Sequence, residues 1–469
     1  MSSAAPNPVP AGTEPVELTA VGCKGNDEQC HDTNPTPKPE DGRENVGCFA
    51  KVAAFMAIVM PPGGIAASAF NISASTLGAG IVGLPAAAQS SGLVMAMFYL
   101  LIITLLCIFT MHSLAVAAEK SNARTFEEIT HKLLGRGASY FLAGIRAFHG
   151  FSGCVAYVIS TGDILSAFLK DNNSDFLKSN SGNQLLTSVF WLCCMLPLVI
   201  PRHIDSLRYV STFAVTFIVY LVIVITVHSC LNGLPENIKS VSVGKDESAE
   251  VVLFNSGNTA IEGLGVFVFA YVCQVVAVEV YMDMKDRSVR KFVIASTIAM
   301  FLCFTLYIMT VFFGYLDFGS SITGSILLMY DPMNEPEVLV GYIGMLVKLC
   351  ASYALLGMAC RNGIYSLIGW DADTVAFWKH CIAVVSLSVV MLLSGLFIPK
   401  INTVLGLAGS ISGASLSFIF PALLIMYAGG FTWQKVGGFY FIVTYIVLLI
   451  GVFSLVFGTG AAIWGTING

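Results

Sequence analysis

The sequence predicts an all-α polytopic membrane protein with eleven transmembrane helices. Of its 469 residues, 56% are hydrophobic and only 11% are charged, and the mean hydropathy is +0.77. One soluble core cannot hide that much apolar sequence. In addition, residues 70–85, FNISASTLGAGIVGLP, are apolar enough to enter a bilayer but contain three glycines and Pro85. Glycine and proline both disfavour a continuous helix, so this apolar span is predicted to be broken.

The first fifty residues differ from the rest of the chain. They contain seven prolines among acidic, amide and glycine residues and show no apolar period. Such a composition is typical of a disordered segment. It also lacks the short apolar core of a secretory signal, so the first span is predicted to act as the insertion signal. Residues 1–50 are therefore predicted to form a disordered cytosolic tail, and residues 51–469 the transmembrane domain.

Eleven apolar stretches follow the tail, each bounded by charge, glycine or proline. Each is near the roughly 20 residues that a helix needs to cross a bilayer. The predicted spans are 65–90, 93–118, 140–169, 185–201, 210–230, 257–281, 292–316, 339–367, 380–398, 404–428 and 439–463. The cysteines lie mostly inside these spans and without metal-ligand spacing, so they are interpreted as small packing residues.

Loop charge predicts the orientation. With a cytosolic tail, twelve lysines and arginines lie in the inner loops and five in the outer loops, as the positive-inside rule requires. An odd number of spans then places the C-terminus outside the cell, with the plasma membrane as the expected location. The sequon at Asn172 falls in a predicted outer loop and is expected to be glycosylated, whereas the sequon at Asn71 lies inside the first span and is expected to stay unmodified.

The break in the first span indicates a binding site. In lipid, the N–H and C=O groups freed by a broken helix must face protein or a water-filled cavity. Gly78, Gly80 and Gly83 therefore predict a cavity at mid-membrane depth. The alternative is that these glycines only let two helices pack closely, as small residues often do in membranes.

The sixth span predicts internal symmetry. Residues 257–281 are again rich in small residues near their start and carry Cys273, Gln274 and Glu279 further on. Two interrupted helices five spans apart are typical of a five-plus-five inverted repeat, with the site between the broken pair. The repeats would cover about 65–230 and 257–428, leaving 439–463 as a final helix.

Several motifs resemble the amino acid/auxin permease family. They are LGAGIVGLP at 77–85, CVAYVISTGDIL at 154–165, VCQ at 272–274 followed by YMDMKDRSVRKF, and CRNGIYSLIG at 360–369. The long tail and polar details look most like the kinetoplastid branch of that family. The chain departs from the family pattern at Gln274 and Glu279. The resemblance implies a secondary active amino acid transporter that works by alternating access, with eleven spans and a cytosolic N-terminus.

The predicted site combines backbone and side-chain groups. An unwound segment over 77–81 would present N–H groups at the start of a half-helix, which suits the α-carboxylate of an amino acid. Freed carbonyls near the first break and at 267–270 would accept from the α-ammonium. The resemblance sets Tyr157 against the carboxylate. The candidate substrate-binding residues are Ser75, Gly78, Ala79, Gly80, Ile81, Tyr157, Phe269, Tyr271, Cys273 and Glu279; for each aromatic, plain packing is the alternative.

Lys348 and Ser352 are the candidates for ion coupling. The family places a sodium-coordinating hydroxyl near Ser352, and Lys348 lies one turn earlier. An ammonium there can stand in for a metal ion, which favours proton over sodium coupling. The alternative is an ion pair with Glu262 or Glu279 that only holds helices together. A carboxylate at Glu279 biases the pocket toward neutral or basic amino acids.

Other function classes are less consistent with the sequence. A channel would need repeated rings of polar groups. An amino acid sensor using the same pocket without net transport remains the alternative function. The sequence has no nucleophile–base spacing, metal motif or phosphate-binding loop, so no enzyme activity, cofactor or nucleic-acid partner is expected. The expected partners are an amino acid, a coupling proton or sodium ion, and the lipid bilayer.

Overall fold

A computed structural model describes residues 61, 63–170, 176, 179–201, 205–233, 241–242, 251–322, 324–370 and 374–468. The predicted disordered tail, 1–50, and the predicted glycosylation site, Asn172, lie outside the described residues. The described residues are helical apart from the connections between helices and one parallel β pair, in which Val241–Ser242 (β1) aligns with Val251–Val252 (β2).

The described helices follow one another along the chain, and the longest connection between them is 229–257. They are α1 (Ile65–Thr76), α2 (Gly80–Ser91), α3 (Leu93–Ser121), α4 (Phe126–Leu134), α5 (Arg136–Phe168), α6 (Asn180–Val199), α7 (Asp205–His228), α8 (Asn258–Glu262), α9 (Leu264–Ala270), α10 (Gln274–Met282), α11 (Val289–Phe318), α12 (Pro336–Ile368), α13 (Phe377–Phe397), α14 (Ile401–Tyr427), α15 (Trp433–Val436) and α16 (Gly438–Ile467). Five-residue π-helical turns interrupt α6 and α16, and two interrupt α14.

The prediction of a polytopic helical membrane protein is confirmed. Within the described residues, nine helical stretches are long and apolar enough to cross a bilayer, counting α8 to α10 as one. The bent pair α1 and α2 makes a tenth when it is taken as one span. A shorter apolar helical stretch, Val215–Leu231, begins inside α7 and runs into the turn that follows it, so the predicted span at 210–230, and with it the number eleven, stays a prediction.

Helices α5 and α12 form the centre of the bundle. Small residues let their backbones approach: a Cβ atom added to Gly150 would lie 2.9 Å from the Leu356 carbonyl oxygen, and one on Gly363 would lie 3.1 Å from the Ala143 carbonyl oxygen. Close approach at small residues is how membrane helices gain packing energy, since lipid removes the hydrophobic driving force between them. Helix α13 packs against α5, and α11 packs against α1 and α3.

Helix α4 lies in the connection between α3 and α5. It begins at a capping residue, because the Thr125 hydroxyl accepts a hydrogen bond of 3.1 Å from the Glu128 N–H. Glu128 in turn accepts from the Arg124 N–H at 2.8 Å, and this hydrogen bond, followed by the one from Lys132, holds the pKa of the Glu128 carboxyl below its ordinary value. These local contacts fix the turn that joins two long membrane helices.

Candidate functional site

The first break lies where the sequence predicts it but is shorter. Helix α1 ends at Thr76, α2 begins at Gly80, and their axes differ by 60°. Only residues 77–79 are non-helical, against the predicted 77–81. Within the described part of the chain, no backbone carbonyl accepts from the N–H groups of residues 78–81. These donors lie at the start of α2, where the helix dipole favours an anion.

The second break lies slightly later than predicted. Helix α9 ends at Ala270 and α10 begins at Gln274, with Tyr271 and Cys273 among the three residues between them. The predicted carbonyls at 267–270 are thus those of the last turn of α9. The two breaks touch: a Cβ atom on Gly80 would lie 2.9 Å from both the Cα and the Cβ of Ala270. Only glycine leaves room for this contact.

Tyr307 of α11 joins the two breaks. Its hydroxyl lies 2.7 Å from the Ala270 carbonyl oxygen and 3.1 Å from the Thr76 carbonyl oxygen. The side chain is fully buried, so its one proton is shared between the last carbonyls of α9 and α1. Tyr307 could not be predicted from the sequence, because its contacts join positions far apart in the chain and it lies in an unbroken apolar helix.

Gln274 fixes the start of α10. Its Nε2 donates to the Thr110 hydroxyl at 3.0 Å, and its Oε1 accepts from the Ser417 hydroxyl at 2.8 Å and from the Cys273 N–H at 3.1 Å. The amide is fully buried, and it connects the second break to α3 and α14. Gln274 therefore has a structural role at the second break.

A cavity of about 710 Å³ extends from the two breaks. Its inner end is lined by buried residues, including Gly78, Gly80, Tyr157 and Cys273. Its other end is lined by exposed residues on the side of the bundle where α4 lies, including Thr125, Glu279 and Asn362. The cavity is therefore closed at the breaks and open toward one face of the bundle.

Most of the predicted site residues line this cavity. They are Ser75, Gly78, Ala79, Gly80, Tyr157, Phe269, Cys273, Glu279 and Ser352. Tyr157 faces the first break, since its hydroxyl would lie 2.8 Å from a Cβ atom added to Gly78. Glu279 is exposed and lies toward the open end, whereas Phe269 lies deeper.

Three predicted residues are not among the cavity-lining residues: Ile81, Tyr271 and Lys348. Ile81 is buried in the packed core, although its N–H belongs to the first break. Tyr271 turns toward α3, where the Thr104 hydroxyl contacts its hydroxyl at 2.8 Å, and it packs edge-on against Tyr307. Lys348 is 1% exposed, and its Nζ donates to the Ala74 carbonyl oxygen at 2.9 Å. It thus binds the last turn of α1, next to the cavity rather than in it.

The fold and site define a polytopic membrane protein with two contacting helix breaks at the closed end of an open cavity. The model of the family described as "Transmembrane amino acid transporter protein" matches residues 62–464. The chain belongs to this family of membrane transporters, and it is not an enzyme. This confirms the resemblance seen in the sequence at the level of the family.

Two relatives match most of the chain. A protein of Xenopus laevis named "Sodium-coupled neutral amino acid transporter 7" is 27% identical over 408 residues, 84% of this chain and 88% of its own length. A protein of Danio rerio named "Sodium-coupled neutral amino acid symporter 2" is 22% identical over 416 residues, 83% of this chain and 81% of its own length. Neither bears on the kinetoplastid branch, which stays a prediction.

Proposed function

We propose that the protein is a secondary active transporter of neutral or basic amino acids, and that the transported molecule binds at the two helix breaks. The observation that carries the proposal is the contact between Gly80 and Ala270 at the closed end of the cavity. Free N–H groups at the start of α2 suit the α-carboxylate. Carbonyls at the ends of α1 and α9 suit the α-ammonium. The donors for the carboxylate and the acceptors for the ammonium of a zwitterion thus lie close together.

Alternating access follows from the same arrangement. The broken helices form one wall of the cavity, and α5 and α12 form the other. Because α5 and α12 pack through glycines at close range, they are suited to act as a rigid scaffold. The broken pair then moves against that scaffold, closing the open end and exposing the breaks on the opposite face. With the predicted orientation, the described conformation opens toward the cytosol, and the outer end of the C-terminal helix is extracellular.

We also propose that transport is coupled to protons rather than to sodium ions. The ammonium of Lys348 binds the Ala74 carbonyl one turn from Ser352, and a cation already covalently attached to α12 makes a bound sodium ion unnecessary at this position. Sodium coupling is the second candidate, favoured by the names of the two relatives.

Uptake of labelled amino acids into proteoliposomes tests both the proposed transport and the proposed proton coupling. Native protein is expected to accumulate a neutral or basic amino acid when an inward proton gradient is imposed, with or without sodium. Accumulation that needs a sodium gradient would contradict proton coupling but not transport. Specific binding without uptake under either gradient would favour the alternative, an amino acid sensor.

A further inference from the structure

His149 presents an unused hydrogen-bond acceptor to the cavity. The residue lies on α5, is 5% exposed and is one of the lining residues. Its ring packs against Phe269, with the ring centroids 4.9 Å apart. Its Nδ1 lies 3.1 Å from the Ser412 hydroxyl on α14. The histidine is thus held in one orientation by contacts on two sides.

The hydrogen bonds of the Ser412 hydroxyl determine the tautomer of the neutral His149 ring. A serine hydroxyl has one proton, and that of Ser412 is donated to the Ala408 carbonyl oxygen at 2.5 Å. The Ser412 oxygen must therefore accept from His149, which places the ring proton on Nδ1. Nε2 then carries a lone pair. Within the described residues Nε2 has no hydrogen-bond partner and is not among the fully enclosed polar atoms, so it faces the cavity.

The position of His149 fits the far end of a long side chain. Tyr157, which faces Gly78 at the first break, follows His149 by eight residues on the same helix. At 1.5 Å per residue these positions are about 12 Å apart along α5. A zwitterion anchored at the breaks would direct its side chain across Phe269 toward His149. A short side chain such as that of alanine would not reach it.

We infer that His149 determines specificity by accepting a hydrogen bond from a terminal N–H group of a long substrate side chain. The inference rests on the proposed function and names the substrate chemistry of the same site. An amide or a guanidinium group satisfies the lone pair on Nε2. A methyl-ended side chain of similar length removes water from Nε2 without replacing its hydrogen bond, so it is disfavoured.

The test is a competition experiment in proteoliposomes containing the full chain. Glutamine and arginine are the substrates whose side chains end in an amide and a guanidinium group. Methionine, whose side chain has no N–H group, is the comparison substrate. Native protein is expected to prefer at least one of the two donors over methionine by about tenfold. His149→Phe keeps the aromatic packing, and it is expected to bring the ratio of donor uptake to methionine uptake close to one. His149→Gln, whose carbonyl oxygen can accept in place of Nε2, is expected to restore part of the preference.

His112→Phe is the matched control, because His112 is also a histidine of a membrane helix, hydrogen-bonded to Tyr440 and absent from the cavity-lining residues. Its ratio is expected to equal that of native protein. The inference would be overturned if native protein transported methionine no less readily than both glutamine and arginine. This outcome decides the question even if His149→Phe fails to fold. An unchanged ratio in a folded His149→Phe variant would also overturn it while leaving transport intact. No uptake of any amino acid would overturn the proposed function together with the inference.

Discussion

Replacing Tyr307 by phenylalanine removes the one hydroxyl that joins the two helix breaks. The ring and its packing remain, but the carbonyls of Thr76 and Ala270 lose the donor that lies 3.1 and 2.7 Å away. Because one proton serves both, the loss corresponds to about one buried unsatisfied carbonyl, or about 1–3 kcal/mol. We expect a folded protein with a lower thermal midpoint and amino acid uptake reduced about tenfold or more, since the contact between the breaks loosens.

Tyr315→Phe provides the control on the same helix. Tyr315 is also fully buried, and its hydroxyl accepts from the Val252 N–H at 3.0 Å, away from the breaks. Both variants are expected to show similar thermal destabilisation in detergent, whereas only Tyr307→Phe is expected to lose uptake beyond what its lower abundance explains. Equal uptake by the two variants at matched protein amounts would refute the role assigned to Tyr307.

Three further predictions concern charge and topology. Lys348→Met removes the ammonium that binds the Ala74 carbonyl and is expected to abolish proton-driven uptake; retained uptake under a proton gradient would contradict the coupling role. Glu279→Gln is expected to reduce uptake of arginine several-fold more than uptake of glutamine, because the lost carboxylate lines the open end of the cavity; equal losses would contradict charge selection. Asn172→Gln is expected to remove a glycan that enzymatic deglycosylation also removes from native protein, and an unchanged mass beside glycosylated native protein would place the outer loop elsewhere.

The first break was predictable because its cause is local. Gly78, Gly80 and Pro85 lie within a few residues and weaken a helix whatever surrounds it. The position of the second break was predicted less well. Residues 271–273 contain neither glycine nor proline, and the break there is held by the tertiary hydrogen bonds of Gln274 and Tyr307.

The direction in which each side chain points was the least predictable feature of the site. Tyr271 and Cys273 are two residues apart, yet Tyr271 packs against α3 and only Cys273 lines the cavity. Helical periodicity cannot assign faces across a break, because the chain between α9 and α10 does not follow a helical period. The orientation of His149 was similarly unpredictable, since its partner Ser412 is 263 positions away.

The central claim, that the contacting breaks form the transport site, is tested most directly by Gly80→Val. A valine side chain at this position begins 2.9 Å from the Cα of Ala270 and cannot fit without separating the breaks. Gly144→Val is the matched control, because a Cβ atom added there meets nothing within 4 Å.

The measurement is initial uptake of a labelled amino acid by proteoliposomes containing equal amounts of folded protein. We predict that Gly144→Val transports like the native protein and that Gly80→Val shows no uptake above that of empty liposomes. Native uptake by Gly80→Val would contradict the account.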